Sequence, residues 1–207
     1  MLICDNISCI RGEKPVFAHL GFCLQEGALL LLKGPNGSGK TSLLEIVSGK
    51  LPPAQGHILW NGKPIAGNAE FARDMMAIGH ENTADSNVTV QESLMECARR
   101  YDSEMLVPAA LRFFDLDAMK DKRASELSAG WRRRAALAQL IVAPCKLWLL
   151  DEPTDFLDEE AVLLTVSLIE SRVKQGGIVI AASHSLNSAM GAHVLELEDF
   201  QIMSLRA

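Results

Sequence analysis

The segment Gly34-Pro35-Asn36-Gly37-Ser38-Gly39-Lys40-Thr41 is the part of this sequence best suited to chemistry. Its glycines let the backbone curl with N–H groups pointing inward, the arrangement that cradles an anion. Lys40 is spaced to reach the outer phosphates of a nucleotide, and the Thr41 hydroxyl is a hard oxygen donor suited to Mg²⁺, with Ser42 following in the same turn. Such a loop needs a strand before it and a helix after it. Residues 28–32 form a continuous apolar run, as a strand buried on both faces requires, and 41–47 carry a helical apolar period that Gly49 closes. A helix starting there adds roughly half a positive charge at the anion site.

A second chemical cluster lies far along the chain. Leu147-Trp148-Leu149-Leu150-Asp151-Glu152 reads as an apolar strand ending in two acids. In a parallel sheet the C-terminal strand ends face the ligand crevice, which places Asp151 to hold Mg²⁺ through water. Glu152 is then placed to polarise a water for in-line attack on a terminal phosphorus. His184 ends the next apolar strand, 178–182, at the same sheet edge, where it can contact that phosphate and orient the water. The plainer readings are a solvated turn for Asp-Glu-Pro and a structural role for the histidine.

Strands must position these groups. Residues 2–7 and 16–24 read as N-terminal strands, 57–60 as another, and 147–150, 177–182 and 194–197 as core strands alternating with helices over 41–47 and 158–174. This predicts an α/β domain with a mostly parallel core sheet flanked by helices. The stretch 81–143 turns polar and then amphipathic, as an inserted helical lobe would, between core segments 1–80 and 144–207 of a single domain. Within it, Arg132-Arg133-Arg134 reads either as a solvated helix face or as help in positioning phosphate or in coupling.

Composition narrows the class. The 207 residues are 48% hydrophobic and 22% charged, which excludes a disordered chain, a collagen and a coiled coil. A net charge of -6 and 5% aromatics argue against a nucleic-acid partner. Cys4, Cys9, Cys23, Cys97 and Cys145 are odd in number, irregular in spacing and without a CxxC, as expected of free thiols in a reducing compartment. The N-terminus carries Asp5 and no long apolar stretch, so no signal peptide is expected, and no apolar run suffices for a membrane span.

Leu127-Ser128-Ala129-Gly130, followed by Trp131-Arg132-Arg133-Arg134, resembles the LSGGQxxR signature of ATP-binding cassette (ABC) ATPases. Asp155-Phe156-Leu157-Asp158 is similar to their D-loop and His184 to their switch histidine, and the whole order of motifs spans nearly the entire chain. The resemblance implies the cassette variant of the P-loop NTPase fold, with an antiparallel N-terminal sheet, and ATP hydrolysis with Mg²⁺. It implies a head-to-tail homodimer in the ATP-bound state. Each ATP would lie between the phosphate loop of one subunit and Ser128, Ala129, Gly130 and Asp158 of the other. It also implies integral membrane permease subunits, reached through the polar stretch 81–87, and a peripheral place on the cytoplasmic face of the inner membrane.

Three positions depart from the family pattern. Trp131 stands where the signature has Gln, and His80 where a glutamine at the mouth of the lobe contacts Mg²⁺ and water; the latter position is counted back from Val88-Thr89-Val90-Gln91-Glu92-Ser93-Leu94. In place of the aromatic that stacks on adenine the candidates are Arg11 and Phe17. Within the family, Ile78-Gly79-His80, Ser128-Ala129-Gly130, Asn6-Ile7-Ser8-Cys9-Ile10-Arg11 and the short length look like the ATP-binding subunits of haem exporters in bacterial cytochrome c maturation. Haem itself is not expected on this chain, because His57, His80 and His193 form no recognisable axial set. The alternatives are the ATPase subunit of another exporter, a soluble cassette machine working on ribosomes or DNA, and a small P-loop metabolite kinase. The single cassette argues against the second, and the signature segment against the third.

Overall fold

The computed structural model describes residues 1–79, 87–186 and 191–200. Two sheets organise the chain. Strands β1 (Leu2–Arg11) and β2 (Lys14–Leu24) form a hairpin, and β4 (Gln55–Trp60) and β5 (Lys63–Pro64) extend it into an antiparallel sheet of order β2-β1-β4-β5. The second sheet is parallel throughout. It comprises β3 (Leu29–Lys33), β6 (Met75–Ile78), β7 (Leu147–Asp151), β8 (Ile178–Ala182) and β9 (His193–Glu196) in the order β6-β7-β8-β3-β9.

The central parallel strands are apolar at every position but the last of β3 (Lys33) and of β7 (Asp151), because both faces are covered. Leu30, Leu32, Leu147, Leu149, Ile178 and Ile180 pack towards the antiparallel sheet and helix α1 (Lys40–Val47). Leu29, Leu31, Trp148, Leu150, Val179 and Ala181 pack towards the remaining major helices. These are α3 (Val90–Arg99), α4 (Val107–Phe113), α5 (Ala129–Val142) and α6 (Glu159–Lys174); a short helix α2 (Ala69–Asp74) leads into β6. Leu94 of α3, Leu111 of α4 and Leu137 of α5 join the same apolar cluster as Trp148 and Leu150, so these helices have no core separate from the sheet.

Helix starts follow local chemistry. Thr89 and Glu92 form a reciprocal capping box at α3, and the Ser128 hydroxyl accepts from the Trp131 N–H at α5. The Asp158 carboxylate accepts from the Ala161 N–H at α6. Helix α2 and strand β6 went unread in the sequence. Four of the five cysteines are buried and free, while Cys23 is free and exposed. Among the described residues no helix is long and apolar enough to cross a membrane.

Candidate active site

The loop between β3 and α1 is built on glycines in the left-handed region, with φ of 134° at Gly34, 84° at Gly37 and 104° at Gly39. A Cβ on Gly39 would lie 2.6 Å from Val16 Cγ1, so β2 packs directly against this turn and leaves no room for a side chain. Lys40 is folded back on the loop, and its ammonium donates to the carbonyls of Gly34 (2.7 Å) and Pro35 (3.2 Å). The Ser38 hydroxyl is buried and has no hydrogen-bond partner among the described residues. An unpaired buried donor inside a backbone cradle fits a site that takes an anion.

The parallel register sets the acids beside this loop. Thr41 Oγ1 donates to Asp151 Oδ2 at 2.8 Å, linking the first turn of α1 to the end of β7. Glu152 leaves the strand with φ of 45°, and its N–H donates to the Ala182 carbonyl at 2.8 Å. The His184 backbone N–H donates to Glu152 Oε2 (3.2 Å), while His184 Nε2 stands 3.4 Å from Glu152 Oε1 and 3.4 Å from Lys40 Nζ. The turn that carries His184 is held from β3, where the Lys33 ammonium donates to the carbonyls of Ser183 and Leu186, both at 2.7 Å.

These groups open onto a cleft of about 910 Å³. Arg11, Asn36, Gly37, Gly39, Lys40, Thr41, Ser42, Asp151, Glu152 and His184 all line it. Lys14, Pro15 and Val16 line it too and were missed in the sequence, where a hairpin turn carries no periodic signal; Asp155, at the start of the D-loop-like segment, also lines it, whereas Asp158 was the residue of that segment expected at a nucleotide. Gly34 and Pro35 touch the site through their carbonyls. Arg11 is anchored on α1 by the Ser42 hydroxyl (3.2 Å) and the Glu45 carboxylate. Phe17, the other candidate for a base-stacking ring, is fully buried beneath Gly39 and presents no face to the cleft. His80 and residues 81–86 lie outside the described residues.

The signature segment stands apart from this cleft. Ser128, Ala129, Gly130 and Asp158 are not among its lining; they sit at the N-termini of α5 and α6. A Cβ on Gly130 would meet the Phe156 carbonyl at 2.7 Å, so a bare backbone is required there by the loop before α6. The solvated-face reading of Arg132-Arg133-Arg134 does not hold for the last two, which are 1% and 7% exposed. Tertiary carbonyl and carboxylate partners, which sequence alone does not display, draw them inside. Arg134 binds the Asp158 carboxylate through both oxygens (2.8 and 2.7 Å) and stacks 4.9 Å from the Trp131 ring centroid. The Ala161 N–H, and then Arg134, hold the Asp158 carboxyl below the usual carboxylate range.

A backbone anion cradle, a lysine, a hydroxyl–carboxylate pair of hard oxygens and a glutamate beside an imidazole suit water attack on a bound phosphoryl group. Residues 17–155 match the family described as ABC transporter. The chain is 40% identical over 186 residues to the "Cytochrome c biogenesis ATP-binding export protein CcmA" of Wolbachia pipientis wMel, covering 89% of this chain and 90% of that protein. It is 38% identical over 203 residues to the protein of the same name in Paramagnetospirillum magneticum, covering 95% and 94%. Its fold is similar to the dimeric ATP-binding cassette MJ0796 bound to ADP and Pi, with a TM-score of 0.84 at 18% identity over 97% of this chain and 94% of that one. This chain belongs to the ABC transporter family as a nucleotide-binding ATPase domain, and its relatives include the CcmA proteins.

Proposed function

We propose that this chain is the ATP-hydrolysing subunit of a membrane exporter of cytochrome c biogenesis, with haem export or release of a haem-loaded carrier as its output. The carrying observation is the convergence of Lys40, Thr41, Asp151, Glu152 and His184 on one cleft. The names of the curated relatives support the cytochrome c assignment.

In this reading the loop 34–42 binds the ATP phosphates, with Ser38 and the backbone N–H groups as donors. Lys40 exchanges the Gly34 and Pro35 carbonyls for β- and γ-phosphate oxygens. Thr41 and Asp151 would hold Mg²⁺; His80, the further candidate ligand that the family resemblance implies, lies outside the described residues. When bound there, Mg²⁺ neutralises charge on the β- and γ-oxygens. Glu152 accepts the proton of the attacking water, and His184 orients that water against the γ-phosphate. Arg11 lies on the base side of the cleft. Two copies close head to tail, so that Ser128, Ala129, Gly130 and Asp158 of one complete the site of the other. Integral membrane permease subunits receive the movement at the cytoplasmic face of the inner membrane, where this chain is peripheral. It binds neither nucleic acid nor haem.

Purified Glu152→Gln is expected to bind ATP normally and to lose about 100-fold or more in turnover, the scale of a lost general base. Full turnover in this variant would overturn the assignment of Glu152. The ATP-trapped variant, captured from detergent-solubilised membranes, is expected to bring down membrane proteins of cytochrome c maturation. An unrelated permease in the capture would leave the ATPase mechanism standing and overturn the haem assignment.

A further inference from the structure

Arg133 is a cation buried where packing alone gives no reason for one. Its side chain enters from α5 and ends among main-chain carbonyls, four of them from the described residues. Nη1 donates to Gly79 (2.7 Å), just beyond β6. Nη2 donates to Asp151 (2.5 Å) and Glu152 (2.6 Å), and Nε to Pro153 (3.3 Å). Guanidinium remains charged in proteins, and burying it carries a desolvation penalty that an apolar side chain of similar size would not. That penalty is partly offset because Asp155, Asp151 and Glu152 lie near enough to interact favourably with it.

The carbonyls it gathers belong to the turn on which the proposed chemistry depends. Glu152 has left-handed backbone geometry, which a non-glycine residue adopts at a cost unless its surroundings hold it. Its N–H is tied to Ala182, and its carbonyl accepts from both Arg133 and the Asp155 N–H. The planar fork lets one group bind β6 and the β7 turn at once, a geometry that a single ammonium cannot reproduce. At its other end, Arg133 stands little more than one helical turn from Ser128 at the start of α5.

We propose that Arg133 is a positioning residue: it fixes the Asp151–Pro153 turn, and with it the Glu152 carboxylate, to the helix that begins with Ser128-Ala129-Gly130. Displacement of α5 is thereby transmitted to the carboxylate that activates water. This rests on the role given to Glu152 above.

The test compares wild type, Arg133→Lys and Arg133→Met as purified full-length chains, measuring kcat, KM, equilibrium affinity for a fluorescent ADP, and circular dichroism. Expected are turnover losses of about 10-fold for Lys and about 100-fold for Met, with nucleotide affinity and KM held within about twofold, since the fork and not the phosphate loop is altered. A folded Arg133→Met with wild-type kcat overturns the proposal. A parallel loss of affinity and turnover marks a collapsed cleft and overturns it as well. If Arg133→Met does not fold, Arg133→Lys decides, and wild-type kcat in that variant overturns it. Glu152→Gln is measured alongside: turnover retained there refutes the role of Glu152 itself, whatever Arg133 does.

Discussion

Replacing Thr41 by Val keeps the shape of the side chain and removes one hydroxyl. That hydroxyl donates to Asp151 Oδ2 at 2.8 Å, and Asp151 is only 5% exposed. Hydrogen bonds to charged groups contribute about 1.5–3 kcal/mol. Thr41 itself is open to solvent, so water partly replaces the lost donor, and the lower figure of about 1.5 kcal/mol applies. At about 2–4 °C per kcal/mol for a chain of this size, Tm falls by about 3–6 °C. Thr41→Ser keeps the donor and the wild-type Tm. Nucleotide supplies the second half of the test. At a hundred times Kd a ligand stabilises the fold by about 2.7 kcal/mol. The part of that increment which requires Mg²⁺ shrinks in Thr41→Val and persists in Thr41→Ser, as scanning calorimetry with ADP in the presence and absence of Mg²⁺ would show. If the two variants melt together and gain equally from Mg²⁺, the Thr41–Asp151 pair neither stabilises the fold nor holds the ion, and the reasoning fails.

Gly130→Ala places a Cβ against the Phe156 carbonyl at 2.7 Å; this overpacking is expected to cost about 1–3 kcal/mol, read as a lower urea midpoint at unchanged slope. Burial pushes the Cys4 thiol up to about 12 and that of Cys97 up to about 11. Iodoacetamide at mildly alkaline pH should therefore label Cys23 alone in the folded protein, and mass spectrometry showing a second native label would contradict this. Because the Asp158 carboxyl is held low in the folded state, its contribution is present above the unfolded value of about 3.9 and is lost as pH falls through the folded value. The Tm gap between wild type and Asp158→Ala, open at pH 7, should accordingly close in acid. Lys33→Met releases the Ser183 and Leu186 carbonyls, so turnover should fall while nucleotide affinity, carried by the 34–42 loop, is retained.

The strands and the cleft were legible in the sequence for a shared reason. A parallel strand buried on both faces must be apolar at each step, as Leu29–Lys33, Leu147–Asp151 and Ile178–Ala182 nearly are, and its C-terminal end is where a polar residue can first surface. Asp151, Glu152 and His184 stand at or just past such ends. Helix α2 and β6 were hidden because six and four residues are too few to display a period. Phe17 was misplaced because its burial is decided by Gly39, distant in sequence, whose missing side chain lets the ring pack under the loop.

The roles of Lys33, which is half-buried, and Arg133, which is buried, escaped for a deeper reason. A sequence shows that Lys33 and Arg133 are charged but not that main-chain carbonyls await them. Those carbonyls exist only because the chain turns sharply after β7 and β8, and each turn leaves acceptors that no neighbouring strand can satisfy. Lys33 takes up the turn that carries His184, and Arg133 the turn that carries Glu152. One is held from the strand that feeds the phosphate loop, the other from the helix that follows Ser128. The two partners of the proposed water-activating pair are thus held from different elements, β3 and α5, while the Glu152 N–H also ties its turn to Ala182 of β8. Their 3.4 Å contact joins the turn held from β3 to the turn held from α5.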